Sequence, residues 1–254
     1  MPQNALLCNT MISEKLKTSL IKAAEKYEQP DFISHDPVQF PHRFSDKCDI
    51  EISGLLTALM SFGNRKQIIA KADKLCGTMH GRPKEYILSR RFEMDFPTDR
   101  NDSFYRMMSY SDFRKIFDRL FHVYSQFQDM EDYLNTLEGT AMERMCRFLS
   151  VSSKSPQKKI NMFLRWMIRS NSPVDFGIWN SFSPADLIIP LDTHVVQVAH
   201  AIGLTTSKTY SLAAAIRITE ALREIFPDDP VRGDFSLFGV GVNQDTNTIK
   251  ASGM

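Results

Sequence analysis

Apolar residues recur at helical spacing along most of this chain. Ile12, Leu16, Leu20, Ala23, Ala24 and Tyr27 line one face of 11–29, and Leu55, Leu56, Leu59 and Phe62 do the same over 50–62. A second helix follows over 66–79, after a break at Phe62-Gly63-Asn64-Arg65. Residues 83–150 read as mostly helical, with Phe92, Phe96, Phe104, Phe113, Phe117, Phe121 and Phe127 as core. Ile160, Phe163, Leu164, Met167 and Ile168 form the next stripe, then Val195, Val198, Ala199 and Ile202. Amphipathic segments at 208–226 and 232–242 close the pattern. No stretch alternates with the period of a strand, and there is no internal repeat or low-complexity tract. The expectation is an all-α fold.

Polar punctuation supports these boundaries. Pro30, Pro37 and Pro41 predict an extended, irregular arm over 30–45. Asp102-Ser103 and Ser111-Asp112 read as helix caps, Ser183-Pro184 as a cap followed by a first-turn proline, and Gly203 as a stop. Residues 170–190 form a Ser/Asn/Pro-containing connection carrying Trp179 and Phe182, and the tail from Gln244 reads as frayed.

Two polar positions stand out against this frame. On a helical wheel Lys158, Arg165 and Arg169 lie opposite the apolar stripe of their helix, while Lys159 falls at its edge, beside Phe163 and Trp166. A lysine at such an edge either snorkels into water or loses hydration, which lowers its pKa and frees a nucleophilic amine. Asp192 precedes Thr193-His194-Val195-Val196 and reads as an N-cap, a role compatible with facing a cleft.

The segment LIIPLDTHVVQVAHAIGL resembles the region around the catalytic aspartate of the helix-hairpin-helix DNA glycosylases, the endonuclease III superfamily. KINMFLRWM is similar to that superfamily's lysine-bearing helix, most closely in its archaeal 8-oxoguanine branch. Matched this way, Lys159 takes the Schiff-base lysine position and Asp192 the aspartate position, 33 residues apart, a spacing longer than in endonuclease III and like that of the archaeal branch. DIEISGLLTALMSFGNRKQIIAKADKL resembles the early helix pair whose loop, here Ser61 to Lys66, probes DNA; DPVRGDFSLFGVGV resembles the last core helix. The whole chain resembles a bacterial family of uncharacterised proteins sharing PLDTHV and DFSLFGVGV. The resemblance covers about residues 46–245 and implies a two-lobed fold with a cleft, joined by an N-terminal helix and arm (1–45) that share the terminal lobe, and followed by a tail (246–254). Two departures stand beside it. The stretch 149–158 matching the phosphate-gripping hairpin has no glycine, and Cys8, Cys48, Cys76 and Cys146 do not follow the iron–sulfur pattern of endonuclease III.

The resemblance implies a DNA base-excision glycosylase, with abasic-site lyase activity as a further step, acting on double-stranded DNA that holds a damaged base. Lys159 and Asp192 would be catalytic, and the sequence leaves open whether Lys158 rather than Lys159 is the reactive amine. Asn64, Arg65, Lys66, Ser153, Lys154, Lys158 and Arg165 would contact DNA, and Trp166, Trp179 and His194 would line the base pocket. No metal or cofactor is implied, and the protein is expected to act as a monomer. The competing readings are a non-catalytic nucleic-acid-binding protein on the same scaffold and a helical interaction protein.

Charge sharpens this picture. The chain carries only +1 overall, but 64–91 hold eight Lys/Arg against Asp73 and Glu85. Lys154, Lys158, Lys159, Arg165 and Arg169 occur over 154–169 without an acid. Such clusters mark a phosphate backbone, or else solvated helix faces. The scattered cysteines, the lack of a membrane-length apolar run and the absence of a basic-then-apolar leader pattern point to a reducing, cytoplasmic setting. His35-Asp36 precedes Pro37 and has no partner ligand at helical spacing, which argues against a metal site there.

Overall fold

The computed structural model describes residues 12–242, and the chain there is predominantly helical. In order the helices are α1 (Glu14–Tyr27), α2 (Asp31–His35), α3 (Lys47–Met60), α4 (Arg65–Thr78), α5 (Pro83–Leu88) and α6 (Phe92–Asp95). A two-stranded antiparallel hairpin follows, β1 (Ser103–Tyr105) and β2 (Met108–Ser109). Then come α7 (Tyr110–Gln126), α8 (Met130–Asn135), α9 (Ala141–Leu149), α10 (Lys158–Ile168), α11 (Thr193–Ala201), α12 (Leu212–Arg223) and α13 (Gly233–Val242). Side-chain oxygens of Ser13, Asp46, Asn64, Ser109, Thr140, Asp192 and Ser211 accept first-turn N–H groups and so start seven of these helices. The tail and the residues before Ile12 lie outside the described residues.

α3 is buried on almost every side, as a helix at the centre of a core must be. Its apolar residues pack with α10 and with the phenylalanines of α6 and α7 in one large cluster. Inside it the fully buried Glu51 carboxyl accepts hydrogen bonds from Trp179 Nε1 (2.6 Å), Tyr124 Oη (2.9 Å) and the Met130 N–H (3.1 Å). A second cluster gathers Leu20 of α1, Ile189 and Leu191 of the connection before α11, and Val195, Val198, Ile218, Leu222 and Leu237 of the last three helices. Here α1 packs along α13, and the Ser236 hydroxyl donates to Leu20 O at 2.6 Å.

Several expectations are corrected. The proline-rich arm is not extended: it folds into α2 and two 3-10 turns, Pro37–Gln39 and Pro41–Arg43, because each proline starts a turn that needs no N–H from it. Ser103 begins a strand rather than capping a helix. α7 starts earlier, on a capping box of Ser109 and Asp112, so Ser111 is not its cap. A hairpin of five strand residues is too short to leave a legible alternation. The basic face of α10 does not meet solvent beyond its first turns, because Arg165 is 5% and Arg169 1% exposed. Among the described residues no helix is long and apolar enough to cross a membrane.

Candidate functional site

Asp192 closes the first turn of α11 with one carboxylate oxygen, Oδ1, which accepts the Val195 N–H at 2.8 Å. The other, Oδ2, lies 3.0 Å from Nζ of Lys158, the first residue of α10. Both side chains keep solvent access, at 29% and 30% exposure. Burial pushes the Asp192 carboxyl up, but the Lys158 charge, the Val195 N–H and the Lys158 hydrogen bond outweigh it and leave the group below its ordinary value. An amine and an acid 34 residues apart in sequence are thus in contact.

The pair lines a cavity of about 210 Å³. That is smaller than the ~300–1,000 Å³ of sites for drug-sized ligands, and on the scale of a single ring system. Its walls come from the end of α3 and start of α4 (Phe62, Gly63, Arg65), from α10 (Lys158, Met162, Arg165), from α11, and from α13 (Asp234, Phe235, Phe238). The residues after α2 add Asp36 and Pro37. Lys158, Met162 and Arg165 stand at i, i+4 and i+7, so one stripe of α10 faces the cavity while the apolar stripe faces α3.

Deeper along that stripe the charges are paired internally. Arg165 bonds Asp234 and lies 3.3 Å from Asp175; Arg169 bonds Asp175, Glu28 (2.8 Å) and Asp229 (2.7 Å). Arg232 completes the group with a 2.9 Å bond to Glu28. Burial pushes the Asp234 carboxyl up to about 6, with Asp192 adding to the rise and Arg165 and Lys158 opposing it. Asp36 is also raised, chiefly by burial. Sequence reasoning weighed Asp36 only as a metal ligand beside His35 and rejected it, and passed over Asp234. The only available signal for Asp234 is its place at the head of the DFSLFGVGV motif.

The candidates from sequence divide as follows. Lys159 does not meet Asp192: its Nζ sits 3.8 Å from the centroid of the Phe62 ring. Burial, and then the Lys158 charge, lower the Lys159 pKa to about 8. One residue along a helix turns the side chain by ~100°, which carries Lys159 away from the carboxylate that Lys158 reaches. Asn64 caps α4 by accepting from the Lys66 and Gln67 N–H groups, and Asn64, Arg65 and Lys66 are exposed. Arg65 approaches Asp36 at 4.0 Å and stacks over Phe238. Ser153 and Lys154 lie in the loop before α10, where the Lys154 N–H donates to Ser152 Oγ. Arg165 lines the cavity but is buried and ion-paired, not a surface cation. Trp166 and Trp179 are 0% and 1% exposed and belong to the core, with Trp179 held by Glu51, so neither lines the cavity. His194 is half-buried and also stands outside the lining.

The glycine-free turn between α9 and α10 is made by Ser150 (φ 54°) and Gln157 (φ 45°) in left-handed conformations. The Gln157 amide ties the turn internally, donating to Ser152 O and Ser155 Oγ. α10 then begins with no side-chain cap and no acid of its own in the first turn, where the positive end of its dipole lies. Among the described residues no group of three or more His, Cys, Asp or Glu is placed to hold a metal ion.

A family model described as "Protein of unknown function (DUF2400)" matches residues 36–243, and the chain belongs to that family. No curated protein and no solved structure matches it.

Proposed function

We propose that this protein excises damaged bases from double-stranded DNA, with Lys158 as the nucleophile and Asp192 as its proton acceptor. The observation that carries the reading is the 3.0 Å contact between an amine and a carboxylate in a solvent-accessible cavity, each at the start of its own helix. The cavity lies between elements of the large core cluster and of the cluster built from the terminal helices, consistent with a glycosylase-like cleft.

In this reading a damaged nucleotide is flipped into the cavity at a cost of a few kcal/mol, least for a damaged or mismatched pair. Asp192 takes a proton from the Lys158 ammonium. The free amine attacks C1′, and the C1′–N bond breaks with its electrons leaving on the base, which is then protonated. Opening of the sugar ring gives a Schiff base between C1′ and Lys158. Water hydrolyses it, or loss of a C2′ proton expels the 3′ phosphate and cuts the strand. Arg65, Lys66 and Lys154, together with the uncapped start of α10, supply positive charge for the phosphates.

Borohydride trapping on a panel of lesion-containing duplexes tests this. Wild type should give a covalent adduct, Lys158→Ala should give none, and Lys159→Ala should retain it. Trapping that depends on Lys159 instead would reassign the nucleophile. No adduct on any lesion would remove the enzymatic reading.

A further inference from the structure

The β1–β2 hairpin is fastened to the rim of the cavity. Tyr105 Oη donates to Phe62 O at 2.7 Å, and the two rings meet edge to face at 5.2 Å. The Arg106 guanidinium packs on Gly63, filling the space a Cβ there would occupy, and lies 5.9 Å from the Phe62 ring. Phe62 and Gly63 both line the cavity, so the hairpin tip is held at its edge.

The composition of that tip is unusual for a surface turn. Its two loop residues are Arg106 and Met107. Arg106 sits at φ 52°, and it occupies the loop position where a positive φ is normally met by glycine. Met107 is 86% exposed. Between the hairpin and α4 lies a shallow depression lined by Gln67, Ala70, Lys71, Phe104, Tyr105 and Arg106, which contains two cations, two aromatic rings and no acid. Lys71 stands over the Phe104 ring at 4.7 Å, and Lys66 is exposed at the start of the same helix. Two cations in a depression lined by no acid among the described residues, beside an apolar projection, suit an anionic polymer with a stacked interior. The cations meet phosphates, and the apolar side chain enters between base steps, as wedge residues at bent duplexes do.

We propose that this hairpin is a second DNA-contacting element: Arg106 and Lys71 bind backbone phosphates beside the cavity, and Met107 wedges into the base stack to favour the flipped state. The proposal rests on the DNA-binding part of the reading above, not on the excision chemistry.

The test uses the full chain and a fluorescein-labelled duplex with 2-aminopurine opposite an abasic site. Arg106→Ala/Lys71→Ala should weaken binding by about tenfold at low salt and reduce the slope of log K against log salt by about 2, since each lost phosphate contact removes ~0.9. Met107→Ser should retain most of the affinity but lose the 2-aminopurine fluorescence rise that reports unstacking. All three side chains are on or near the surface, so melting temperatures should match wild type. Wild-type binding and trapping with an unchanged double variant and an unchanged Met107→Ser signal would overturn the hairpin proposal alone. Absence of any wild-type binding would overturn it together with the DNA reading.

Discussion

Asp192 does two jobs with its two oxygens, and they can be separated. Asparagine caps a helix about as well as aspartate but cannot accept the Lys158 proton. On the proposed mechanism, Asp192→Asn should therefore leave stability nearly unchanged while base release falls by about 10²–10⁴. Asp192→Ala should lose the activity and, in addition, about 1 kcal/mol of stability in urea denaturation. Glu51 supplies a prediction on pH. Burial, opposed by its three hydrogen bonds, pushes its carboxyl from an ordinary 4.5 to about 7. Between those values the unfolded chain releases a proton that the folded protein retains, so stability falls as pH rises through this window. Glu51→Gln should flatten that part of the stability–pH curve, as read from urea midpoints at successive pH values. The residue scale is also where sequence reading was weakest. A wheel marks Lys158 and Lys159 as neighbours but not which of them has a carboxylate in reach, because that partner belongs to another helix.

At the scale of elements, two glycines hold turns on which the site depends. Gly63 (φ 96°) ends the α3–α4 break, and Gly177 (φ 57°) lies in the connection between α10 and α11. At Gly63 an added Cβ would meet the Arg106 guanidinium, the far end of a flexible side chain, so Gly63→Ala should cost the ~1–2 kcal/mol of a strained left-handed residue and release the hairpin tip. At Gly177 the Cβ would fall 2.6 Å from Ser170 Cα and 2.8 Å from Arg169 O, which are backbone atoms that cannot swing away. Gly177→Ala should thus destabilise more than Gly63→Ala, a ranking that thermal melts of the two variants will check. The long helices could be read from spacing because each shows one apolar face. The arm over 30–45 and the hairpin could not, since their short turns are stabilised by contacts with α3 and Phe62 more than by their own periodicity.

For the whole molecule, the cluster around Arg165 and Arg169 decides cohesion. Arg169 joins Glu28 at the end of α1, Asp175 in the α10–α11 connection and Asp229 before α13. Removing one member of a buried ion cluster leaves uncompensated charge, typically at ~3–5 kcal/mol. Arg169→Ala should therefore approach global unfolding, and added salt should not mimic it, because buried pairs are poorly screened. The same cluster bears on charge as a guide to function. Two of the five cations over 154–169 are neutralised inside the protein. The exposed cations lie instead at the start of α4 (Arg65, Lys66), in the hairpin (Arg106) and in the turn before α10 (Lys154).

The order of apolar and polar residues was sufficient to set the helical class, the main helix boundaries and Asp192 as a helix cap, because those follow from local periodicity and capping. It also marked Lys158 and Lys159 as the two amines to consider. Only the tertiary structure placed the Lys158 amine, and not that of Lys159, against Asp192, turned an arginine face expected in solvent into a buried ion cluster, and brought Asp36 and Asp234 to the cavity wall. Each of those outcomes depends on which distant segments share a small volume, and charge burial and pairing are properties of that packing.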